Sequence, residues 1–560
     1  MLRSLLLLLA AATASLVPPC AAQELLVLWR ERCDADRAKH PELRDGRALC
    51  VGLDREAEQL FERSLRGTCA DGGRPVDLRR YSVHPLDERS SAKLALERLR
   101  ADPRIEHVER RAALAPPPGD IAPPTPSFHA RQHYLAEAPA GVGAAVAARA
   151  LGGLGAARRI VDIEWSWHRS HEDIAALATA PLFQAPAAAV FTDHGTASIG
   201  LIAADPDLAG IRGIASDAAI GFSSPNAAAG YSVARALLAA QSFLRAGDVV
   251  LLEVQARSPL GLVPAEFDRA DFDAIRNLVA AGVHVIEPAG NGSVDLDDPF
   301  FGGLFDRAQR DSGAILVAAA DGATPQRSNA SSFGSRVDVN AHGLRVTTTG
   351  FGDLFDPVPT PDQRYTATFS GTSAASAITA GVALQVLGAH AAQLAPFGAA
   401  PLTPLELRDL LRRTGTPPAT ALEQQQIGRR VDAANALRSI GASRGLHLLD
   451  DALLGASVRL ELAPRELAFL ADAFALFGSL ASQPVAFPAP SAPCGRFLLD
   501  PLAFFELGTG LVPNGPLPPL VFAIPADPAL RELRVVLQAF YVNAAGASLC
   551  SSAAQVLSIK

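Results

Sequence analysis

The sequence predicts an α/β protein whose middle part is a doubly wound, mostly parallel sheet, with an N-terminal α+β segment and a small all-β C-terminal domain. Three observations predict this. Short apolar strands alternate with helical stretches over residues 128–440, as in a parallel sheet covered on both faces. A helix pattern followed by a strand pattern ends the charged N-terminal segment. Strand patterns separated by Pro and Gly turns fill residues 441–560.

Residues 1–22 predict a secretory signal peptide. Arg3 supplies the positive start, Leu5–Leu16 is apolar but too short to span a bilayer, and small residues predict cleavage after Ala22. Cys20 leaves lipid attachment open as a minor alternative. We therefore expect a secreted or periplasmic protein without a transmembrane segment.

Residues 23–115 form a separate charged segment. Ala92–Arg100 has an amphipathic helix pattern, and Ile105–Glu109 has a strand pattern. The Pro-rich stretch 116–127 follows, and such a composition stays extended, exposed and easily cut. We interpret it as a linker to the next domain.

The alternation in residues 128–440 is regular enough to locate elements. Predicted strands are Arg159–Ile163, Val249–Leu252, His284–Ile286 and Ala314–Val317, and predicted helices are Val233–Leu244 and Phe272–Ala281. In open parallel sheets, functional residues collect at the carboxyl ends of the strands. In the last segment, predicted strands are Val458–Leu462, Leu520–Ile524 and Leu533–Tyr541.

Composition narrows the partners. Apolar residues make up 49% of the chain, enough for a sizeable core, and the net charge is -8 with a pI near 5.9. Nucleic acid is therefore not an expected partner, because phosphate binding needs a basic face.

The cysteines outside the signal peptide predict structural disulfides, which an exported protein is able to form. Cys494 and Cys550 lie in the same segment and are predicted to pair. Of Cys33, Cys50 and Cys69, two are predicted to pair and one is left over.

A serine precedes the longest apolar helical stretch. Ser373 stands in Gly371-Thr372-Ser373, just before Ala377–Ala389. At a helix start, backbone N–H groups and the positive dipole end are available to stabilise an oxyanion. This makes Ser373 a candidate nucleophile; the alternative is an ordinary Ser/Thr cap.

Two further sites supply a base and an oxyanion donor. His194 is followed by Gly195, which lets another backbone come close to the imidazole. Asn291 stands between glycines soon after a predicted strand, where its amide can donate to an oxyanion. The alternatives are a structural histidine and an Asn-Gly turn.

The strand Ile160–Glu164 supplies acids. Asp162 and Glu164 are two residues apart and so point to the same face. One of them is able to orient His194 and stabilise its imidazolium. The alternative is a pair of solvated acids at a strand end.

Together these sites resemble the subtilisin-like serine peptidases. The family's acid strand and Ser-His-Pro-Asp-Leu segment, its His-Gly-Thr motif, its Ala-Gly-Asn loop and its Gly-Thr-Ser box look like 160–164 with 170–174, 194–196, 289–291 and 371–377. The order acid, His, Asn, Ser is also the family's. The resemblance implies a subtilisin-like fold with Ser373, His194 and an acid as catalytic triad and Asn291 in the oxyanion hole.

The chain departs from the family pattern at the acid. The position aligned with the catalytic Asp is Glu164, and Asp162 remains an alternative two residues earlier. We favour Glu164 because an acid-for-acid exchange keeps the charge that supports His194. An Asp-x-Glu motif is also found in a bacterial subgroup of the superfamily.

The resemblance also implies partners. The strand that borders the substrate pocket in the family carries Ser-Leu-Gly, and Glu253, Val254 and Gln255 stand there instead. They are predicted substrate-binding residues for a protein or peptide substrate. Residues 23–115 resemble the inhibitory propeptides of these enzymes, which implies that the chain's own propeptide acts as an intramolecular inhibitor removed near the linker.

No cofactor is expected. The pair His168 and His171 is a weak metal candidate, and a structural calcium ion is left open at Asp295, Asp297 and Asp298, with a solvated turn as the alternative. The leading prediction is a secreted serine endopeptidase. Its alternatives are a catalytically impaired pseudoprotease that binds or scaffolds, and an acid peptidase of the sedolisin type.

Overall fold

The computed structural model describes residues 24–29, 47–48, 80–85, 92–110, 124–357, 361–467, 471–482, 485–486, 496–512, 517–543 and 548–560. The chain divides into two compact units, residues 1–121 and residues 122–560. The predicted signal peptide, five of the six cysteines and most of the linker lie outside the described residues.

In its described residues, the first unit contains an antiparallel sheet and one helix. Its elements are β1 (Glu24–Trp29), β2 (Arg47–Ala48), β3 (Tyr81–Pro85), α1 (Ala92–Arg100) and β4 (Ile105–Arg110). The strand order is β2-β3-β1-β4. The predicted helix has the bounds expected from its pattern, and the predicted strand is one residue longer, so this segment is α+β.

The second unit begins with the strands of the middle segment. They are β5 (Arg159–Ile163), β6 (Leu182–Gln184), β7 (Ala219–Ser223), β8 (Asn226–Ala227), β9 (Gly230–Tyr231), β10 (Val249–Leu252), β11 (Gln255–Ser258), β12 (Gly261–Pro264), β13 (His284–Pro288), β14 (Ile315–Asp321), β15 (Gln326–Arg327), β16 (Val339–His342), β17 (Val346–Thr349), β18 (Tyr365–Phe369) and β19 (Arg429–Arg430). Nine of them form one sheet in the order β19-β16-β14-β13-β10-β5-β7-β6, with β15 beside β14. All pairings except that of β15 are parallel, which confirms the predicted doubly wound sheet.

Helices cover this sheet. They are α2 (Ala144–Ala147), α3 (Thr192–Ala203), α4 (Val233–Ala240), α5 (Arg269–Ala280), α6 (Thr372–Gln393), α7 (Pro404–Thr414), α8 (Ala421–Ile427) and α9 (Ala433–Ile440). The stretch Thr372–Phe397 is long and apolar enough to cross a membrane, but 94% of its apolar window is buried. In the part of the chain that the structure describes, it is the central core helix and the one such candidate.

The central strand β10 shows why its sequence is apolar throughout. Val249 and Leu251 belong to one hydrophobic cluster, which includes much of α6, and Val250 and Leu252 belong to a second one, which includes residues of α4 and α5. All four side chains are fully buried because alternate residues face opposite sides of the sheet. Along β10, the first polar side chain is therefore that of Glu253, directly after the strand ends.

The last segment is all-β. Its strands are β20 (Leu446–Leu448), β21 (Ser457–Leu462), β22 (Ala473–Ser479), β23 (Val485–Ala486), β24 (Arg496–Phe497), β25 (Phe504–Leu511), β26 (Leu520–Ala523), β27 (Arg534–Asn543), β28 (Ser548–Ser551) and β29 (Gln555–Ser558). They form an antiparallel sheet β20-β21-β26, a second one β25-β22-β27-β28 with β29 beside β27, and a hairpin β23-β24. Cys550 is disulfide-bonded, and its predicted partner Cys494 lies outside the described residues.

Candidate active site

Three neighbouring parallel strands deliver polar residues to one edge of the sheet. Glu164 follows β5 directly, Glu253 follows β10 directly, and Asn291 comes three residues after the end of β13. β10 lies between the other two strands, and the backbone N–H of Glu253 donates to Ile163 O over 3.0 Å. These side chains therefore meet at the carboxyl edge, where sites are expected in such sheets.

Glu164 is the acid that contacts the imidazole. Its Oε2 is hydrogen-bonded to His194 Nδ1, and the carboxylate is fully buried. Its Oε1 accepts from the backbone N–H of Trp165. Asp162, the alternative acid, instead accepts from the indole Nε1 of Trp167 over 2.8 Å. With one side-chain oxygen on His194, Glu164 occupies the orienting position of a catalytic acid.

Gly195 makes this contact sterically possible. A Cβ on that residue would lie 2.3 Å from Ser166 O and 2.6 Å from Glu164 Cγ. His194 stands in the first turn of α3, so the helix start approaches the acid-bearing segment closely. A glycine after the histidine is therefore required by packing against the longer acid.

Burial works against a charged His194, but three effects outweigh it. The negative charge of Glu164, the hydrogen bond to Glu164 and the charge of Asp162 together raise the pKa of His194 above its ordinary value of 6.5. The hydrogen bond on Nδ1 leaves Nε2 as the nitrogen that accepts a proton.

Asp162 is buried too deeply to ionise readily. Loss of hydration and then repulsion from Glu164 raise its pKa well above the ordinary value, and the Trp167 hydrogen bond only partly opposes this. Asp162 therefore gives up its proton less readily than an ordinary aspartic acid.

Ser373 is the second residue of α6. The helix cap Gly371 has φ +95°, and a Cβ there would lie 2.9 Å from Asn291 Oδ1. This left-handed turn is open to glycine at little cost, and it places the nucleophile against the Asn291 loop. Ser373 is 8% exposed.

Asn291 is locked to the same helix start. Its Oδ1 accepts from the backbone N–H of Thr372 over 2.9 Å and from Thr372 Oγ1 over 3.2 Å. The side-chain oxygen is thus engaged, so the amide Nδ2 is the end that can donate to an oxyanion at Ser373.

The three predicted substrate-binding residues occupy three different environments. Val254 is 3% exposed and packs in the hydrophobic core. Gln255 is half-buried and accepts from the backbone N–H of Asn291 over 2.8 Å, which supports the oxyanion loop. Glu253 turns towards the catalytic cluster.

Glu253 is a third carboxyl of this cluster. Its Oε2 accepts from Ser198 Oγ over 3.2 Å, and the hydroxyls of Ser198 and Ser373 favour its ionised form. Loss of hydration, and then the charges of Asp162 and Glu164, raise its pKa well above the ordinary value. In this structure the ring of His194 contacts Glu164, and the Ser373 hydroxyl acts electrostatically on Glu253.

One group in the described residues has the composition of a metal site. Glu164, His194 and Glu253 bring possible ligand atoms within 4.8 Å of one another. The Glu164–His194 hydrogen bond already uses one atom of each. We therefore interpret the group as a proton-sharing cluster.

The other metal candidates are engaged separately. His168 Nε2 lies 3.3 Å from Asp193 Oδ1, whereas His171 Nε2 lies 2.9 Å from Arg364 O, so the two rings do not face a common centre. Asp297 accepts from both Ser335 N and Ser335 Oγ over 2.7 Å. Asp295 and Asp298 each accept a backbone N–H of their own turn. A calcium ion at this turn stays a prediction.

Sequence reasoning missed two features of the site. Ser198 lies one helical turn after His194, and that i,i+4 spacing was the available signal. An aromatic group formed by Trp165, Phe191 and Tyr231 stands beside Glu164, with ring centroids 5.4 and 5.5 Å apart. Phe191 is 65% and Tyr231 51% exposed, which gives the site an apolar rim.

One protein-family model matches part of the chain. Residues 183–432 match the model of the subtilase family. The matched range includes His194, Asn291 and Ser373 and begins after β5 and Glu164. No curated protein sequence matches the chain.

Solved structures similar to this one are distant in sequence. A cold-adapted subtilisin-like serine proteinase is 18% identical, covering 50% of this chain and 89% of its own, with a TM-score of 0.36. A protease from Pseudoalteromonas arctica PAMC 21717 is 19% identical, covering 57% and 99%, with a TM-score of 0.42. The self-cleaved protease domain of PatA is 18% identical, covering 52% and 98%, with a TM-score of 0.39.

Proposed function

We propose, on the premise that residues 183–432 form a serine peptidase domain of the subtilase family, that this protein is a catalytically competent, exported serine endopeptidase. The observation that carries the proposal is the buried Glu164 carboxylate on His194 Nδ1. It gives the imidazole the orientation and charge support that a general base needs, although the acid is not the family's usual aspartate.

The proposed reaction proceeds through an acyl-enzyme. Ser373 Oγ attacks the peptide carbonyl while its proton moves to His194 Nε2, and Glu164 stabilises the imidazolium. Asn291 Nδ2 donates to the oxyanion. His194 then gives the proton to the leaving amine as the C–N bond breaks, and water, deprotonated by His194, releases the second product and restores Ser373.

The longer acid fits because the neighbouring helix start makes room for it. Glutamate reaches one methylene further than aspartate, and Gly195 leaves its Cγ the necessary space. The Glu164 backbone therefore stands further back from the imidazole while the carboxylate makes the same contact. This accommodation supports Glu164 as the triad acid.

We extend the proposal to processing. The described elements of the first unit are α+β, and the last of them ends at Arg110, before the Pro-rich linker 116–127. Such a unit fits an inhibitory propeptide that the enzyme removes by cutting the linker after export. Protein or peptide chains are the substrates, and the propeptide is the first of them.

One observation favours a second candidate, a pseudoprotease that binds without cleaving. The hydroxyl of Ser373 favours the ionised form of Glu253, and in that form the carboxylate would hold the serine proton. A binding protein on this scaffold would keep the fold and lose the labelling described next.

An active-site probe tests the proposal. The processed full-length protein is incubated with a fluorophosphonate, and Ser373→Ala is the control. Labelling that disappears in Ser373→Ala supports the peptidase, and no labelling of folded, processed protein supports the scaffold. Strongly acidic activity that survives in His194→Ala would instead indicate a sedolisin-type enzyme.

N-terminal sequencing tests the processing. The mature wild-type protein is expected to begin within or near residues 116–127, and Ser373→Ala is expected to keep its N-terminal segment. An uncut wild-type chain, or the same cut in the Ser373→Ala protein, would contradict autoprocessing.

A further inference from the structure

Glu253 is the one carboxyl of the site for which the triad mechanism has no task. It is 5% exposed. Its Oε2 accepts from Ser198 Oγ over 3.2 Å, and the Ser373 hydroxyl is near enough to favour its ionised form. Its Oε1 is buried and has no hydrogen-bond partner in the described part of the chain. An ionised carboxylate with a bare, buried oxygen is unfavourable, so this geometry suits a neutral acid.

The charged groups around Glu253 also favour its neutral form. Asp162 and Glu164 face it from β5 and His194 faces it from α3, while Ser373 on α6 and Ser198 on α3 present only hydroxyls. The three buried carboxyls of Asp162, Glu164 and Glu253 thus lie near a single imidazole, that of His194. Glu164 makes the direct contact with His194 and so holds the negative charge. A further charge on Glu253 would face that carboxylate without a cation of its own.

We propose that Glu253 is a positioning residue that holds a proton in the active enzyme and donates it in a hydrogen bond to Ser373 Oγ. The inference rests on the proposed function. When Ser373 Oγ accepts the hydrogen bond from Glu253, the hydroxyl hydrogen of Ser373 itself remains available to His194 Nε2. Substrate does not touch Glu253; the residue acts through the nucleophile.

Loss of that proton reverses the hydrogen bond. The ionised carboxylate accepts the Ser373 hydroxyl hydrogen, which diverts it from His194. It also places a negative charge beside the position where the oxyanion forms, and this disfavours the transition state. Ionised Glu253 therefore inhibits the enzyme without any change in covalent structure.

The consequence is a rate that rises and then falls with pH. The low-pH limb belongs to His194, which has to lose its proton to act as base. The high-pH limb belongs to Glu253, whose proton loss removes activity. The buried acid Asp162 and the ion pair Glu164–His194 set both limbs through their charges, so the two titrations are coupled.

The experiment measures the second-order rate of fluorophosphonate labelling of processed protein against pH, which needs no knowledge of the substrate. Wild type is expected to lose labelling about tenfold per pH unit above its high-pH limb. Glu253→Gln replaces the O–H donor by an N–H donor that cannot ionise. It is expected to remain labelled and to lose the high-pH limb.

Two further variants make the result decisive. Glu253→Ser also removes the ionisable group, and it serves if Glu253→Gln does not fold. Glu287→Gln is the matched control, because Glu287 is likewise a fully buried acid of raised pKa whose charged neighbours are Glu266, Arg336 and Asp271 rather than the catalytic groups. It is expected to leave both limbs in place.

The outcomes separate the two proposals. No labelling of wild type at any pH defeats the proposed function, and this inference with it. Labelled wild type with a high-pH limb that survives in folded Glu253→Gln or Glu253→Ser overturns the role of Glu253 alone, and so does a wild type without that limb. Loss of labelling at every pH in both folded variants also overturns it, because Glu253 would then be a base or a structural support.

Discussion

Glu164 and His194 form the contact on which the chemistry depends at the scale of single residues. The carboxylate is fully buried and the ring is partly open, at 29% side-chain exposure. Burial strengthens the interaction because little water screens it. The ring thus stays oriented with Nε2 as the acceptor, which is the arrangement a base needs before substrate arrives.

The substitution Glu164→Gln tests this contact. The side chain keeps its length and loses its charge, so labelling by fluorophosphonate is expected to fall by about 10³–10⁴-fold. Because Glu164 raises the pKa of His194, its loss is expected to move the low-pH limb of the remaining activity to lower pH. Asp162→Asn serves as the comparison, and a larger loss in that variant would make Asp162 the triad acid.

The substitution Ser198→Ala tests the partner of Glu253. The Ser198 hydroxyl donates to Glu253 Oε2 and thereby lowers the pKa of Glu253 relative to its value without this bond. Without the hydroxyl, Glu253 is expected to keep its proton to higher pH, so the high-pH limb of the labelling rate shifts upward. If the high-pH limb of folded Ser198→Ala stays at the same pH or moves to lower pH, the prediction is wrong.

At the scale of elements, the site is made by three strand ends and two helix starts. β5, β10 and β13 set the spacing of Glu164, Glu253 and Asn291, since neighbouring strands of a sheet lie about 4.8 Å apart. α3 and α6 approach from one side with His194 and Ser373 near their first turns. The catalytic groups are therefore held by backbone hydrogen bonds of the sheet and by helix packing.

Gly195→Ala tests the fit between α3 and the acid-bearing segment. The added methyl group would lie 2.3 Å from Ser166 O and 2.6 Å from Glu164 Cγ. Forcing a group into such a space costs about 1–3 kcal/mol of stability, and we expect labelling to fall as the Glu164–His194 contact opens. Thermal unfolding and labelling rate measure the two effects.

Gly508→Ala is the matched control for this substitution. Gly508 lies in β25, has an ordinary φ, and has nothing within 4 Å of an added Cβ. It is expected to leave both the melting temperature and the labelling rate nearly unchanged. Equal losses in Gly195→Ala and Gly508→Ala would show that the packing argument is wrong.

At the scale of the whole molecule, the large parallel sheet and the C-terminal sheets belong to one compact unit, residues 122–560. Gln393, at the end of α6, is fully buried and joins them. Its Nε2 donates to Leu151 O and Ala442 O over 3.1 and 2.9 Å, and its Oε1 accepts from Ala554 N over 3.0 Å. The helix α6, which carries Ser373 near its start, thus ends against the C-terminal sheets.

Gln393→Ala is expected to destabilise the second unit by about 2–4 kcal/mol, because it leaves buried backbone groups unpaired. Arg534→Ala removes the more exposed pair with Asp217, and it is expected to cost at most about 1 kcal/mol. Urea unfolding of the processed protein measures both. An equal, small cost for the two variants would show that the C-terminal sheets do not stabilise the peptidase domain.

The sequence by itself determined the elements and the order of the chemical groups. Apolar runs buried on both faces, such as Val249–Leu252, and the start of α6 after Gly371 depend on local patterns. The fold class and the resemblance to serine peptidases followed from them. The bounds of β5 and β10 agree with those predicted, whereas the helix predicted to Leu244 ends at Ala240, since helix ends depend on packing.

Only the tertiary structure decided what each acid does. Asp162 and Glu164 have the same residue chemistry two positions apart, and only their three-dimensional neighbours, Trp167 for one and His194 for the other, distinguish them. Glu253 is predicted to bind substrate from its place in the chain, and only the structure shows that its carboxyl accepts a hydrogen bond from Ser198 Oγ. The physical reason is that protonation and contact depend on burial and distance between residues far apart in sequence, which no local pattern encodes.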